Sequence, residues 1–209
     1  MSVLQRIAYF QNRRDEVPNQ ELAKELARAQ DRAGIREIAK GLHHENPNVQ
    51  SDCLKVLYEI GYLNPELIAD YADDFLNLLQ SKNNRLVWAG MIALSTIAGL
   101  KAETVFARLD EVKRAMEQGS VITVDNGVKT LAAVAAQNED YRRQIFPYLL
   151  SHLRRCRPKD VPQHAEKVLV AVTKENKGEF IAVLAERSVD MSGAQLSRVR
   201  KVIREAEKR

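Results

Sequence analysis

Four stretches of the chain align with one another at a near-constant spacing, and that period restricts the fold more than any other feature. They are Cys53-Leu-Lys-Val-Leu57-Tyr-Glu-Ile60-Gly61, Gly90-Met-Ile-Ala-Leu94-Ser-Thr-Ile97-Ala98, Gly127-Val-Lys-Thr-Leu131-Ala-Ala-Val134-Ala135 and Ala165-Glu-Lys-Val-Leu169-Val-Ala-Val172-Thr173. Their central leucines are 37, 37 and 38 residues apart. Each stretch has a small residue, a Leu four later, an aliphatic seven later and a small or slender residue eight later. On a helix these spacings share one face, so each stretch reads as the buried side of a helix A. The small positions let a neighbouring helix come close. A turn position follows at Asn64, Lys101, Asn138 and Asn176, and Asn64-Pro65 reads as an N-cap with Pro at the first helical position. Beyond it a helix B repeats its own rows: Ile38, Phe75, Val112 and Leu149, then Leu42, Leu79, Met116 and Leu153.

The expected unit is helix A, tight turn, helix B, short loop. The expected fold class is all-α, an α-α superhelix (a right-handed solenoid of antiparallel helix pairs) in one domain over 1–209. Its regular repeats are 46–82, 83–119, 120–157 and 158–191. Irregular capping helices take 1–45, where Gln20 occupies the place of the helix-A Leu, and 192–209 is a capping helix. For that last helix Ser192 and Gln195 suggest a capping box, and Leu196, Val199 and Ile203 an apolar stripe. Composition agrees, because 6% aromatics, 9 Gly and 6 Pro in 209 residues are too few for a strand-and-turn architecture. A chain this long buries about 70% of its unfolded surface and needs no disulfide or metal to hold a core. The uncharged run Leu86–Leu100, 15 residues long, is shorter than a membrane span and reads as a core helix. Cys53 and Cys156, about two repeats apart, are expected as reduced thiols, consistent with a cytoplasmic location.

Antiparallel helix pairs of 37–38 residues carrying these rows resemble HEAT repeats, of the armadillo-type superhelix class, over roughly 46–190. Armadillo repeats themselves would show a third short helix, and the TPR period is 34. The resemblance implies a binding scaffold or adaptor that holds a protein partner along a concave helix-B surface. More remotely, the HEAT-like alkylpurine DNA glycosylases share this size and helical-pair architecture. That likeness implies a basic nucleic-acid surface with an aromatic residue and an Asp, for which Trp88 and Asp125 are the matching positions here.

Charge is unevenly distributed. Residues 1–140 carry 16 Lys/Arg against 20 Asp/Glu, and residues 141–209 carry 16 against 8, so the net of +4 divides into −4 and +8. The run Arg142-Arg143…Arg154-Arg155-Cys-Arg157-Pro-Lys159 dominates the basic end. Helical geometry puts Arg143 and Arg154 on one flank of their helix B, ~16 Å apart, and Tyr148 with Arg155 on a second stripe. Such a surface suits phosphates or an acidic peptide, and the alternative account is a solvated face. Arg142 falls in the row of Ile68, Val105 and Phe180, so its guanidinium must snorkel to water or find an acid such as Asp140 or Asp125. Trp88 stands in the row of Ser51, Asp125 and Gln163, as a contact residue or as cover between repeats. Glu66, Asp70, Asp73 and Asp74 are expected on the wet side of one helix B, with Arg114 on the next. Together these residues would grade a concave face from negative to positive.

No nucleophile motif and no Gly-rich phosphate loop occurs, and the expectation is a non-enzymatic protein without a cofactor. His43, His44, His152 and His164 fall in different repeats with no Cys-x-x-Cys or His-x-x-x-His pair, so no metal site is expected. The candidate partner-binding residues are Arg143, Tyr148, Arg154 and Arg155, extended by Arg114, Asp70 and Asp74. The expected partner is a protein, with nucleic acid at the basic C-terminal third as the alternative and no membrane.

Overall fold

The computed structural model describes residues 2–189 and 191–209, and among these every regular element is helical. The chain forms two compact units, 1–127 and 128–209. The first holds α1 (Val17–Ala29), α2 (Arg32–Lys40), α3 (Pro47–Leu63), α4 (Ala72–Leu78), α5 (Asn84–Ile97), α6 (Ala102–Ala107) and α7 (Leu109–Gln118). Helix α8 (Val121–Ala135) contains the division. The second unit holds α9 (Glu139–Arg155), α10 (Val161–Val168), α11 (Lys177–Arg187) and α12 (Gly193–Glu207). Among the described residues no helix is long and apolar enough to cross a membrane.

Side-chain caps start several of these helices where the sequence offers Asn or Asp. The Asn46 Oδ1 accepts from the Asn48 N–H at 2.9 Å before Pro47, and Asn83 does the same for Arg85 at 3.0 Å. Asn138 caps α9 through the Tyr141 N–H at 2.9 Å. Each satisfies one of the four donors that a helix start leaves open. In the first unit α3 packs between α1 and α5, and α4 lies against α5 and α6. The glycines make this close. A methyl at Gly61 would collide with Thr96 Oγ1, and one at Gly127 with the Met116 side chain.

The helix-B rows are buried throughout: Ile38, Phe75, Val112 and Leu149, and with them Leu42, Leu79, Met116 and Leu153. Leu57, Leu94 and Leu131 of helix A are fully buried as well. Leu169 departs from its row. Helix α10 ends at Val168, and Leu169–Ala171 winds as a tighter 3-10 turn. Three residues per turn rotate the side chains away from the α-helical register. Leu169 is therefore half-buried, while Val168 and Ala171 take the core.

The Asn64 cap is corrected too. Its side chain makes no capping bond, and Pro65–Leu67 and Ala69–Tyr71 are separate 3-10 turns before α4. The acids expected on one helix thus lie on a broken segment. Helix B of the next repeat is also interrupted, at Arg108 between α6 and α7, whereas α9 runs unbroken. In α12, Ser192 sits at the N-cap position without a side-chain bond, and the buried residues are Val199, Val202 and Ala206. Packing against both α10 and α11 turns the stripe, so Leu196 and Ile203 are left at its edges, half-buried.

Candidate functional site

Helix α9 carries the four leading candidates. Glu139 and Asp140 occupy its first turn and His152, Arg154 and Arg155 its last, which complements the helix dipole at both ends. Its inner side buries Ile145, Phe146, Leu149, Leu150 and Leu153, with Phe146 against Phe180 of α11 at a ring separation of 6.4 Å. The outer side is where the arginines lie. Arg143 is 71% exposed and donates to Glu139 Oε1 at 3.2 Å. Arg154 is 51% exposed, and its Nε lies 4.0 Å from Glu186 of α11. Arg155 is exposed and donates to the Ser151 carbonyl of its own helix at 3.3 Å. Tyr148 is half-buried. Arg142 resolves differently from expectation, because its partner is Glu139, at 2.7 Å, and not Asp140 or Asp125. Residues three apart on a helix share a face, and residues two apart do not. Its Nε is buried with no hydrogen-bond partner.

The three weaker candidates belong to the first unit. Asp70 is exposed and pairs with Lys101 at 3.2 Å. Asp74 is half-buried and meets His43 Nε2 at 3.1 Å. Arg114 is exposed on α7. Asp73 faces Arg108 at 3.7 Å, and Arg108 also holds Glu111 at 2.6 Å. The acids are thus engaged by bases one repeat further along or one back, which ties neighbouring hairpins together. The Arg108 guanidinium, and with it the Gln80 amide, holds the Glu111 carboxyl below its ordinary range.

Several features were not anticipated. Lys55 sits inside α3 with its side chain 10% exposed, paired with Glu16 at 2.8 Å and Glu59 at 2.7 Å and lying over the Tyr58 ring. Burial alone would lower its pKa, but the hydrogen bonds it donates to the two carboxylates and to Tyr58 outweigh that and raise it. The i,i+4 partner Glu59 was legible in the sequence, whereas Glu16 required the tertiary contact. Beside it, Arg13, Arg14, Arg85, Asp15, Glu16 and Asp52 line a polar cleft of about 400 Å³. Trp88 is half-buried in α5.

The histidines also differ from expectation. His43 is exposed, but His152 and His164 are brought together by the packing of α9 on α10, Nε2 to Nδ1 at 3.0 Å. With Cys156 they form a group whose ligand atoms all lie within 4.8 Å of one another. The signal available in the sequence was His152-x-x-x-Cys156, which is i,i+4 on one helix face. Both cysteines are free thiols.

No protein-family model matches the chain, and no curated protein matches its sequence. Solved structures do. A designed armadillo repeat protein in complex with peptide (KR)4 superposes with a TM-score of 0.70 at 13% identity, over 90% of this chain and 86% of that one. An engineered protein matches with a TM-score of 0.69 at 16% identity, each chain being covered in full. Kap121p matches with a TM-score of 0.64 at 16% identity, over 96% of this chain and 22% of that one. At such identities the likeness is one of fold, and the chain has the HEAT/armadillo-type repeat fold.

Proposed function

We propose that the chain is a non-enzymatic scaffold whose α9 surface binds an acidic segment of a protein partner. The observation that carries this reading is the exposure of Arg143, Arg154 and Arg155 on one capped helix. Their only ion-pair partners among the described residues are Glu139 and a distant contact to Glu186. Guanidinium groups held this way are available for two-pronged bonds to carboxylates, and Tyr148 between them offers an amphipathic contact. The designed armadillo protein of similar fold is complexed with the basic peptide (KR)4. Here the exposed charge on α9 is itself basic, so the complementary segment is acidic. On the first unit, Asp70, Asp74 and Arg114 are proposed as weaker contacts by themselves, the two acids for a basic part of the partner. It also treats residues 1–209 as one repeat domain with the boundaries given above.

The test is fluorescence anisotropy with a labelled Glu-rich peptide, on the whole chain and on Arg154→Glu/Arg155→Glu. Saturable binding that the double variant weakens at least tenfold, with unchanged helicity, supports the proposal. Equal binding by both proteins overturns the assignment to α9. The excess of eight positive charges over residues 141–209 favours a second reading, nucleic acid. A labelled DNA duplex in the same assay decides it. Phosphate contacts predict log affinity falling linearly with log salt, and no binding at ~50 mM salt removes this alternative.

A further inference from the structure

The group at the end of α9 is a set of soft donors held in place by unrelated contacts. His152 lies in the last turn of α9, Cys156 is the residue that ends it, and His164 lies in α10. The Cys156 backbone is pinned from two sides, its N–H to the His152 carbonyl at 2.8 Å and its carbonyl by Arg187 Nη2 at 2.7 Å. The two rings beside it have centroids 4.9 Å apart. His164 is 3% exposed and His152 and Cys156 are half-buried, so the group is shielded but not sealed from solvent.

We propose that His152, Cys156 and His164 form a binding site for a divalent metal ion of the zinc class, which clamps the end of α9 to the start of α10. A tetrahedral ion with nitrogen at 2.0–2.1 Å and sulfur at 2.3 Å requires donors about 3.3–3.6 Å apart. The two ring nitrogens, now hydrogen-bonded at 3.0 Å, need to part only slightly to admit the ion, and the outer limit of 4.8 Å for the group closes by side-chain rotation. Two imidazoles and a thiolate select zinc over calcium or magnesium, which take oxygen donors. Burial pushes the Cys156 thiol up to about 11, so a metal binding there must displace its proton.

On binding, the Cys156 S–H, now donating to the Leu153 carbonyl at 3.6 Å, loses its proton to solvent as the metal–sulfur bond forms. The hydrogen shared between His152 Nε2 and His164 Nδ1 gives way to the ion, and tautomerisation returns it to a second ring nitrogen. Three protein donors leave a fourth position for water or a further ligand.

Cobalt is the probe. The chain, stripped with chelator and kept reduced, is titrated with Co2+ alone and then with Zn2+. The proposal expects one equivalent, a thiolate-to-cobalt charge-transfer band, tetrahedral d–d bands, and displacement of both by zinc. Cys156→Ser removes the charge-transfer band, and His152→Gln weakens binding more than about tenfold. His43→Gln changes neither. Circular dichroism shows whether each variant is folded. Both altered positions are half-buried, so the test does not depend on replacing the buried His164. Absence of the band in the unaltered chain overturns the site, as does its survival in Cys156→Ser, which would assign it to Cys53. A purely octahedral cobalt spectrum also overturns it.

Discussion

Lys55 shows how one residue can decide local stability. Its ammonium is held by Glu16 and Glu59 inside a helix whose other buried positions are almost all apolar. Lys55→Ala leaves two carboxylates without their cation and creates a gap beside Tyr58. The loss expected is about 2 kcal/mol, below the 3–5 kcal/mol of a fully buried pair because both acids reach water. Urea unfolding checks it, and a change within 0.5 kcal/mol would contradict the assignment. Lys55 was unremarkable in the sequence, standing in an aligned stretch chosen for its apolar rows. Arg142 was flagged correctly as a charge in an apolar row, but its partner was misplaced because Asp140 lies on the wrong side of the helix. Cys156, His152 and His164 escaped for a different reason. Metal motifs are recognised by spacing within a segment, and here the third donor comes from the next helix.

At the scale of the helix pair, the recurring small residues are what permit close packing. Gly61→Ala is informative because two effects oppose each other. Alanine favours a helix interior by about 1 kcal/mol, but its methyl has no room against Thr96. Overpacking should win by about 1–2 kcal/mol, read as a lowered thermal midpoint. Pairing it with Thr96→Ala should recover part of the loss, which a double-mutant cycle measures. Additive effects would contradict the contact. Elements were legible where the α-helical period persisted, as the burial of Leu57, Leu94 and Leu131 shows. They were not where 3-10 winding intervened, at Pro65–Tyr71 and Leu169–Ala171, because propensity does not distinguish three residues per turn from 3.6. In α12 the periodicity was read correctly, but the burial was turned by a second packing partner.

Ion pairs within each unit hold carboxylates charged, and acid should undo them together. Arg108 with Glu111 and Arg198 with Glu166, the latter at 2.6 Å between α12 and α10, hold carboxyls below their ordinary range. A depressed folded value contributes stability that is complete above the unfolded value near 4.3 and fades as pH falls through the folded one. Below about pH 5 the thermal midpoint should therefore fall, with Arg198→Gln making that fall shallower. An Arg198→Gln variant whose midpoint falls as steeply below pH 5 as that of the unaltered chain would contradict this. Repeat architecture suits a binding role, since each unit needs only its neighbours for stability and its outer residues are free to vary. Sequence reading reached the repeat and its buried rows, and it reached α9 as a basic helix. It did not reach which charges would be neutralised by their neighbours, because that depends on side chains meeting between repeats. Nuclear magnetic resonance on the labelled chain, titrated with the Glu-rich peptide, tests the central claim most directly. The account predicts shift changes concentrated at Arg143, Tyr148, Arg154 and Arg155. Changes confined to the Arg13, Arg14 and Arg85 cleft, or none at all, would contradict it.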